Sequence, residues 1–151
     1  MAKGKPKWQQ EPKSDKQVKI QASPESTDKQ TPAWQFHKRD RDHGKWGWDK
    51  LSAQDFCDLL HSQLANFETM TWAEILRAVG DKREGNMHHN VAVDRCSKDA
   101  QKRLAELNAD DLDEIFSLRL GNKHRLYGVK EGRVLRFIWH DTEHSVYEVK
   151  K

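Results

Sequence analysis

Five of the six cations between "SLRLG" and "RVLRFIWH", Arg119, Lys123, Arg125, Arg133 and Arg136, are candidates for one surface, and within that stretch only Glu131 opposes them. Several cations on one surface suit a polyanion, because each can neutralise a phosphate. Cross-strand pairing with Asp141, Glu143 or Glu148 is the competing use of the same charges. Trp46 and Trp48 lie in the glycine-punctuated "HGKWGWDK". Such rings stack on bases, or they close the core where a loop crosses it. Two other groupings suggest a metal: His88 and His89 with Cys96 further on, and His140 with His144 in "HDTEH". Neighbouring histidines on a strand point to opposite faces and do not readily grip one ion. "HDTEH" lacks the spacing of a known metal site. No metal and no cofactor is expected, and His88 and His89 are assigned to lining the basic cleft or capping a helix end.

These residues need elements to position them. From Ser117 the apolar pattern has period two, in "SLRLG", "HRLYGV", "RVLRFIWH" and "SVYEV", separated by "GNK", "KEG" and "DTE". That is the pattern of an antiparallel meander with tight turns. Both parities carry apolar residues, as in a sheet covered on both sides over part of its length. Upstream the period is helical. Ser52 opens a helix with Phe56, Leu59, Leu60 and Leu64 inward; Thr71 and Glu74 form a capping box before Trp72, Ile75 and Val79; Ser97 caps a third helix with Ala100, Leu104 and Leu107 inward. "ADDLDEIF" reads as a short helical turn, "HHNVAV" as a short strand, and Trp34 with Phe36 as another. The expected fold is α+β, with N-terminal helices packed on one face of a C-terminal antiparallel meander and cations projecting from the other.

Composition divides the chain. Residues 1–33 are rich in Lys, Gln, Ser and Pro and hold seven lysines against four carboxylates. The formal +3 of the 151-residue chain is carried there, and the remainder is balanced. So polar a segment cannot offset its conformational entropy by burial, so a disordered basic tail is expected over 1–33, followed by a single α+β domain over 34–151. No apolar run approaches the roughly 20 residues that span a bilayer. The basic N-terminus lacks a signal peptide's apolar stretch, so a soluble cytoplasmic protein is expected. Cys57 and Cys96 lie far apart and read as free thiols.

The stretch "SLRLGNKHRLYGVKEGRVLRFIWHDTEHSVYEV" resembles the C-terminal half of the RelE/ParE superfamily of bacterial toxins, especially its RelE and YoeB branch. The resemblance spans roughly residues 88–149 and leaves 34–80 as an N-terminal elaboration. It implies a compact sheet and metal-independent cleavage of messenger RNA, commonly on the ribosome, by transfer of the phosphoryl group to the 2′-oxygen. It places Arg125 on the scissile phosphate, with Arg136 as a second phosphate-binding arginine. His140 or His144 would be the acid, with Tyr147 as another candidate. Arg119, Lys123, Arg133, His88 and His89 would contact RNA, with Trp46 and Trp48 of the elaboration added by the stacking reading of their rings, and an antitoxin protein would be a partner. The chain runs on past His140, and no Glu or Lys matches the family's general base. The alternative is a non-catalytic interaction or regulatory protein that keeps the fold.

Overall fold

Sequence polarity sets the strand faces, and the faces set the layers. A computed structural model describes residues 27–79 and 87–147. Its sheet has five strands: β1 (Ala33–Gln35), β2 (His89–Ala92), β3 (Glu114–Arg119), β4 (Arg125–Glu131) and β5 (Val134–Asp141), in the order β1-β5-β4-β3-β2. The last three strands form the antiparallel meander, with β2 antiparallel to β3. β1 returns from the N-terminal side and pairs with β5 in parallel, Ala33 opposite Val134. The sheet is therefore mixed.

The helices start where their caps are. Ser52 accepts the Asp55 N–H and opens α1, which is α-helical over Ala53–Asp58, widens to π-helical turns over Leu59–Leu64, and returns to α over Ala65–Phe67. Thr71 and Glu74 make a complete capping box for α2 (Trp72–Arg77), and Ser97 accepts the Ala100 N–H at the start of α3 (Lys98–Glu106). Each such cap stabilises its helix by about 1 kcal/mol.

Alternate parities of the meander bury on opposite sides. Phe116, Leu118, Leu126, Leu135 and Phe137 pack with Leu59, Leu64, Phe67, Trp72 and Ile75 from α1 and α2. Ile115, Tyr127, Ile138 and Trp139 pack with Cys96, Ala100 and Leu104 from α3 and its approach. The expectation of helices on one face alone is thus corrected: α3 covers the second face, which a basic concave surface would have occupied.

Three local expectations also change. Glu114–Phe116, read as part of a helical turn, belong to β3, because Ile115 and Phe116 serve the two cores in turn. "SVYEV" does not form a strand over its described residues, because the Asp141 carboxylate draws the Val146 N–H and the Ser145 hydroxyl into a loop. Residues 27–33, assigned to the tail, are part of the domain: Thr27 is buried, Arg133 donates to Thr31, and the Trp72 N–H donates to the Gln30 carbonyl. The tail expectation for residues 1–26 lies outside the described residues, as do residues 80–86 and 148–151.

At Ile138 the meander carries a bulge: Tyr127 faces Trp139 while Gly128 faces Phe137. A side chain at Gly128 would place its Cβ against the Arg136 carbonyl oxygen, closer than any van der Waals contact allows. Gly128→Ala must move backbone in the middle of the sheet. Thermal or urea unfolding should show a loss of about 2 kcal/mol or more; an unchanged midpoint would mean that the strand shifts without cost.

Candidate functional site

The β3–β4 connection gathers the most cations. Arg119, the last residue of β3, sits directly opposite Arg125, the first of β4. Like charges in that register repel. Both guanidinium groups turn to the turn's backbone instead of to a carboxylate. Arg119 Nε donates to the Gly121 carbonyl at 3.1 Å, and Arg125 Nη1 donates to the carbonyls of Gly121 (2.8 Å), Asn122 (3.2 Å) and His124 (3.1 Å). Among the described residues neither forms an ion pair. Burial, followed by the neighbouring Arg119, holds the Arg125 pKa below its ordinary value. Arg125 is 8% exposed, whereas Arg119 is half-buried and Lys123 at the tip is exposed. Lys123 has only a long 4.0 Å contact with Glu143.

Two histidines border this corner. His88 is buried edge-on against Phe67, and its Nδ1 accepts the Arg119 N–H at 3.0 Å. That bond leaves the ring's proton on Nε2. Burial, with Arg119, Arg125 and His89 nearby, lowers the His88 pKa to about 4, so the ring is neutral at pH 7. His89 pairs with Ser117 in β2–β3 and is exposed on the Arg119 side of the sheet.

Other expected site residues lie elsewhere. Arg136 is five residues before Asp141, the partner of Arg125, so roughly 16 Å separates the two arginines along the strands. Arg136 makes a 2.7 Å ion pair with Glu131 near the β4–β5 turn. Arg133 donates to Thr31 and ties down the segment before β1. His140 is 4% exposed, and its Nε2 bonds the Gly47 carbonyl at 2.8 Å. Burial keeps it neutral more than that bond and Asp141 favour its charge. His144 and Tyr147 belong to the loop after Asp141, with rings 6.4 Å apart. Tyr147 lines a cleft with Arg95, Ser97 and Lys98 at the start of α3.

Trp46 and Trp48 are 1% and 4% exposed and offer no stacking surface. Trp46 donates to the Ser145 hydroxyl and stacks on His43; Trp48 donates to the Ile138 carbonyl. Their second reading, as loop residues closing the core, describes their position. The same loop brings in Asp40, which is 2% exposed and receives two 2.8 Å bonds from Arg103 and one from Trp139. Cys57 and Cys96 are free, and burial raises the Cys96 thiol to about 11.

Sequence reasoning passed over His124. It lines a cleft with Asp55, Asp58 and Thr142, none of which carries a spacing signal that ties it to the meander. Among the described residues no three His, Cys, Asp or Glu side chains are arranged to hold a metal ion. None of the described helices is long and apolar enough to cross a membrane. No protein-family model, no curated protein and no solved structure matches the chain.

Proposed function

We propose that the protein is an RNA-directed, toxin-like protein of RelE/ParE type, and that it meets the phosphate backbone at the β3–β4 corner. The observation that carries this reading is the Arg119–Arg125 pair: two guanidinium groups in direct register, with no carboxylate between them in a domain otherwise balanced in charge. A phosphate beside Arg119 relieves the repulsion that the pairing creates, and Lys123 extends the positive field along a backbone. Arg125 shapes the corner by clamping three turn carbonyls and acts on RNA through Arg119 and the turn.

Metal-independent cleavage is the finer form of the proposal. It requires a proton-transfer group at the corner, and exposed His89 is nearest to that role by register, with His144 and Tyr147 on the following loop. The second reading, a non-catalytic RNA-binding or regulatory protein, is favoured by one observation. Arg136 and His140, both assigned to catalysis by the resemblance, are engaged by Glu131 and Gly47 away from Arg119.

Arg119→Ala is the milder test of binding, because it removes one bond to the turn, at the Gly121 carbonyl, where Arg125→Ala would remove three. Wild-type protein should bind RNA with affinity that falls steeply with salt, and Arg119→Ala should weaken it across sequences and lower the log–log salt slope by about 1. Absence of RNA binding by the wild type at low salt would sink the proposal. Expression in growing bacteria with RNA ends mapped separates its two forms. New message ends that vanish in Arg119→Ala mean cleavage, and intact messages with retained binding mean a non-catalytic binder.

A further inference from the structure

The β3–β4 turn stands clear of the domain. The Leu120 N–H donates to the His124 carbonyl at 2.9 Å, which leaves a three-residue tip of Gly121, Asn122 and Lys123, all exposed. A Cβ added to Gly121 would meet nothing within 4 Å. The tip is nevertheless fixed in shape. The buried Arg125 bonds the carbonyls of Gly121, Asn122 and His124, and Arg119 bonds that of Gly121 again. A segment held in this way loses little freedom on binding. It presents the Asn122 amide, which both donates and accepts, and the Lys123 ammonium, with the Arg119 guanidinium at the end of β3. The carboxylate that reaches the tip is Glu143, 4.0 Å from Lys123.

Proteins that hold single strands stack successive bases on aromatic rings. Among the described residues no Trp, Tyr or Phe is exposed, and Val79 is the one large hydrophobic residue that is. His89, exposed on the Arg119 side of the sheet, has one small imidazole that serves a single base at most. What the corner can grip is therefore phosphates and polar edges. A-form RNA offers both together, in a wide and shallow minor groove that displays 2′-hydroxyls beside the backbone. B-form DNA has a narrower minor groove and lacks the hydroxyl.

We propose, on the RNA-directed reading of this corner, that the Gly121–Lys123 tip binds the minor groove of an A-form RNA duplex, with Asn122 on the 2′-hydroxyls and Lys123 and Arg119 on the bordering phosphates. Transfer of a phosphoryl group to the 2′-oxygen needs an unpaired nucleotide that can swing in line. Duplex binding therefore belongs with the non-catalytic form of that reading.

The test compares binding of the full chain, by fluorescence anisotropy at low salt, to an RNA duplex of about 20 base pairs, to one of its strands alone, and to the DNA duplex of the same sequence. The RNA duplex should bind about fivefold or more tighter than either, the scale of a hydrogen bond made or lost. Asn122→Ala should abolish the preference over DNA and leave DNA binding unchanged; the backbone carbonyl that Arg125 holds is untouched by it. Glu143→Gln should tighten duplex binding by removing the carboxylate beside Lys123. Trp8 lies outside the described residues, and the order of affinities should survive Trp8→Ala. No binding to any of the three nucleic acids removes the RNA-directed reading and the duplex assignment together. Suppose instead that RNA binds and Arg119→Ala weakens it. A tighter single strand, equal affinity for the two duplexes, indifference to Asn122→Ala, or an order lost in Trp8→Ala then overturns the duplex assignment alone.

Discussion

Replacing Asp40 by alanine should cost about 3 kcal/mol of stability, enough to threaten a domain of this size. Asp40 lies in the charged run "HKRDRDHGK", which suggests a solvated loop, yet its carboxylate is 2% exposed. Burial alone would raise its pKa, but the bonds from Arg103 and Trp139 outweigh that and hold it below the ordinary carboxylate value. The residue joins three elements. Its side chain holds Arg103 of α3 and Trp139 of β5, its N–H bonds the Ile138 carbonyl, and its carbonyl receives the Trp48 N–H. Alanine strands the Arg103 charge and the buried Trp139 N–H together. Because Arg103 retains 23% side-chain exposure and a second partner in Glu106, the loss belongs at the lower end for broken buried pairs. Urea unfolding of Asp40→Ala, alone and with Arg103→Met, checks this. The double variant should recover part of the loss, and a single-variant loss under about 1 kcal/mol would show the pair to be peripheral.

Acid should destabilise the protein well before its carboxylates titrate. His43, His88, His124 and His140 all have pKa values lowered in the folded state, each chiefly by burial. As pH falls through about 6.5 the unfolded chain takes up protons that the folded chain refuses, so stability is complete above that value and declines below it. His88 sets the lower end of the window, because its folded pKa is about 4. That difference corresponds to roughly 3 kcal/mol from this residue alone. Asp40, with its lowered pKa, adds a further loss only as pH falls through and below the ordinary carboxylate range. The melting temperature should therefore drop by on the order of 10 °C between pH 7.5 and pH 4.5. His88→Asn, whose side-chain oxygen can accept the Arg119 N–H, should remove much of that dependence. A flat melting temperature across the interval would mean that these rings are solvated enough to charge in place.

What could be read from the sequence was local. Ser52, Thr71 with Glu74, and Ser97 announced helix starts because a capping side chain acts within three residues of itself. The meander announced itself through period two and through the Glu131–Gly132 turn, where Gly132 takes a φ of +59°. Distant pairings left no local trace. Nothing in "AWQ" signals a parallel partner at Val134, and nothing in "QKRL" signals that Arg103 reaches Asp40. "ADDLDEIF" combines helical spacing with strand-forming Ile115 and Phe116, and the two cores decided between them. At the site, Arg119 and Arg125 meet because a short turn joins their strands, which the sequence allowed one to infer. Arg136 stands apart because it lies near the opposite end of its strand, and the His124 cleft draws its walls from segments far apart in the chain.

The placement of β5 governs the order in which the molecule can assemble. This strand is nearly the last part of the described chain to be synthesised, yet it lies between β1 and β4 and lends Leu135, Phe137 and Trp139 to the two cores. Ala33 must wait for Val134, and the indole of Trp72 for the Arg133 carbonyl, before either has its native partner. Contacts so remote in sequence slow folding, because a long loop must close before they form. During translation the helices of the first half therefore emerge without the sheet that covers their apolar faces, and the domain closes only after the meander has left the ribosome.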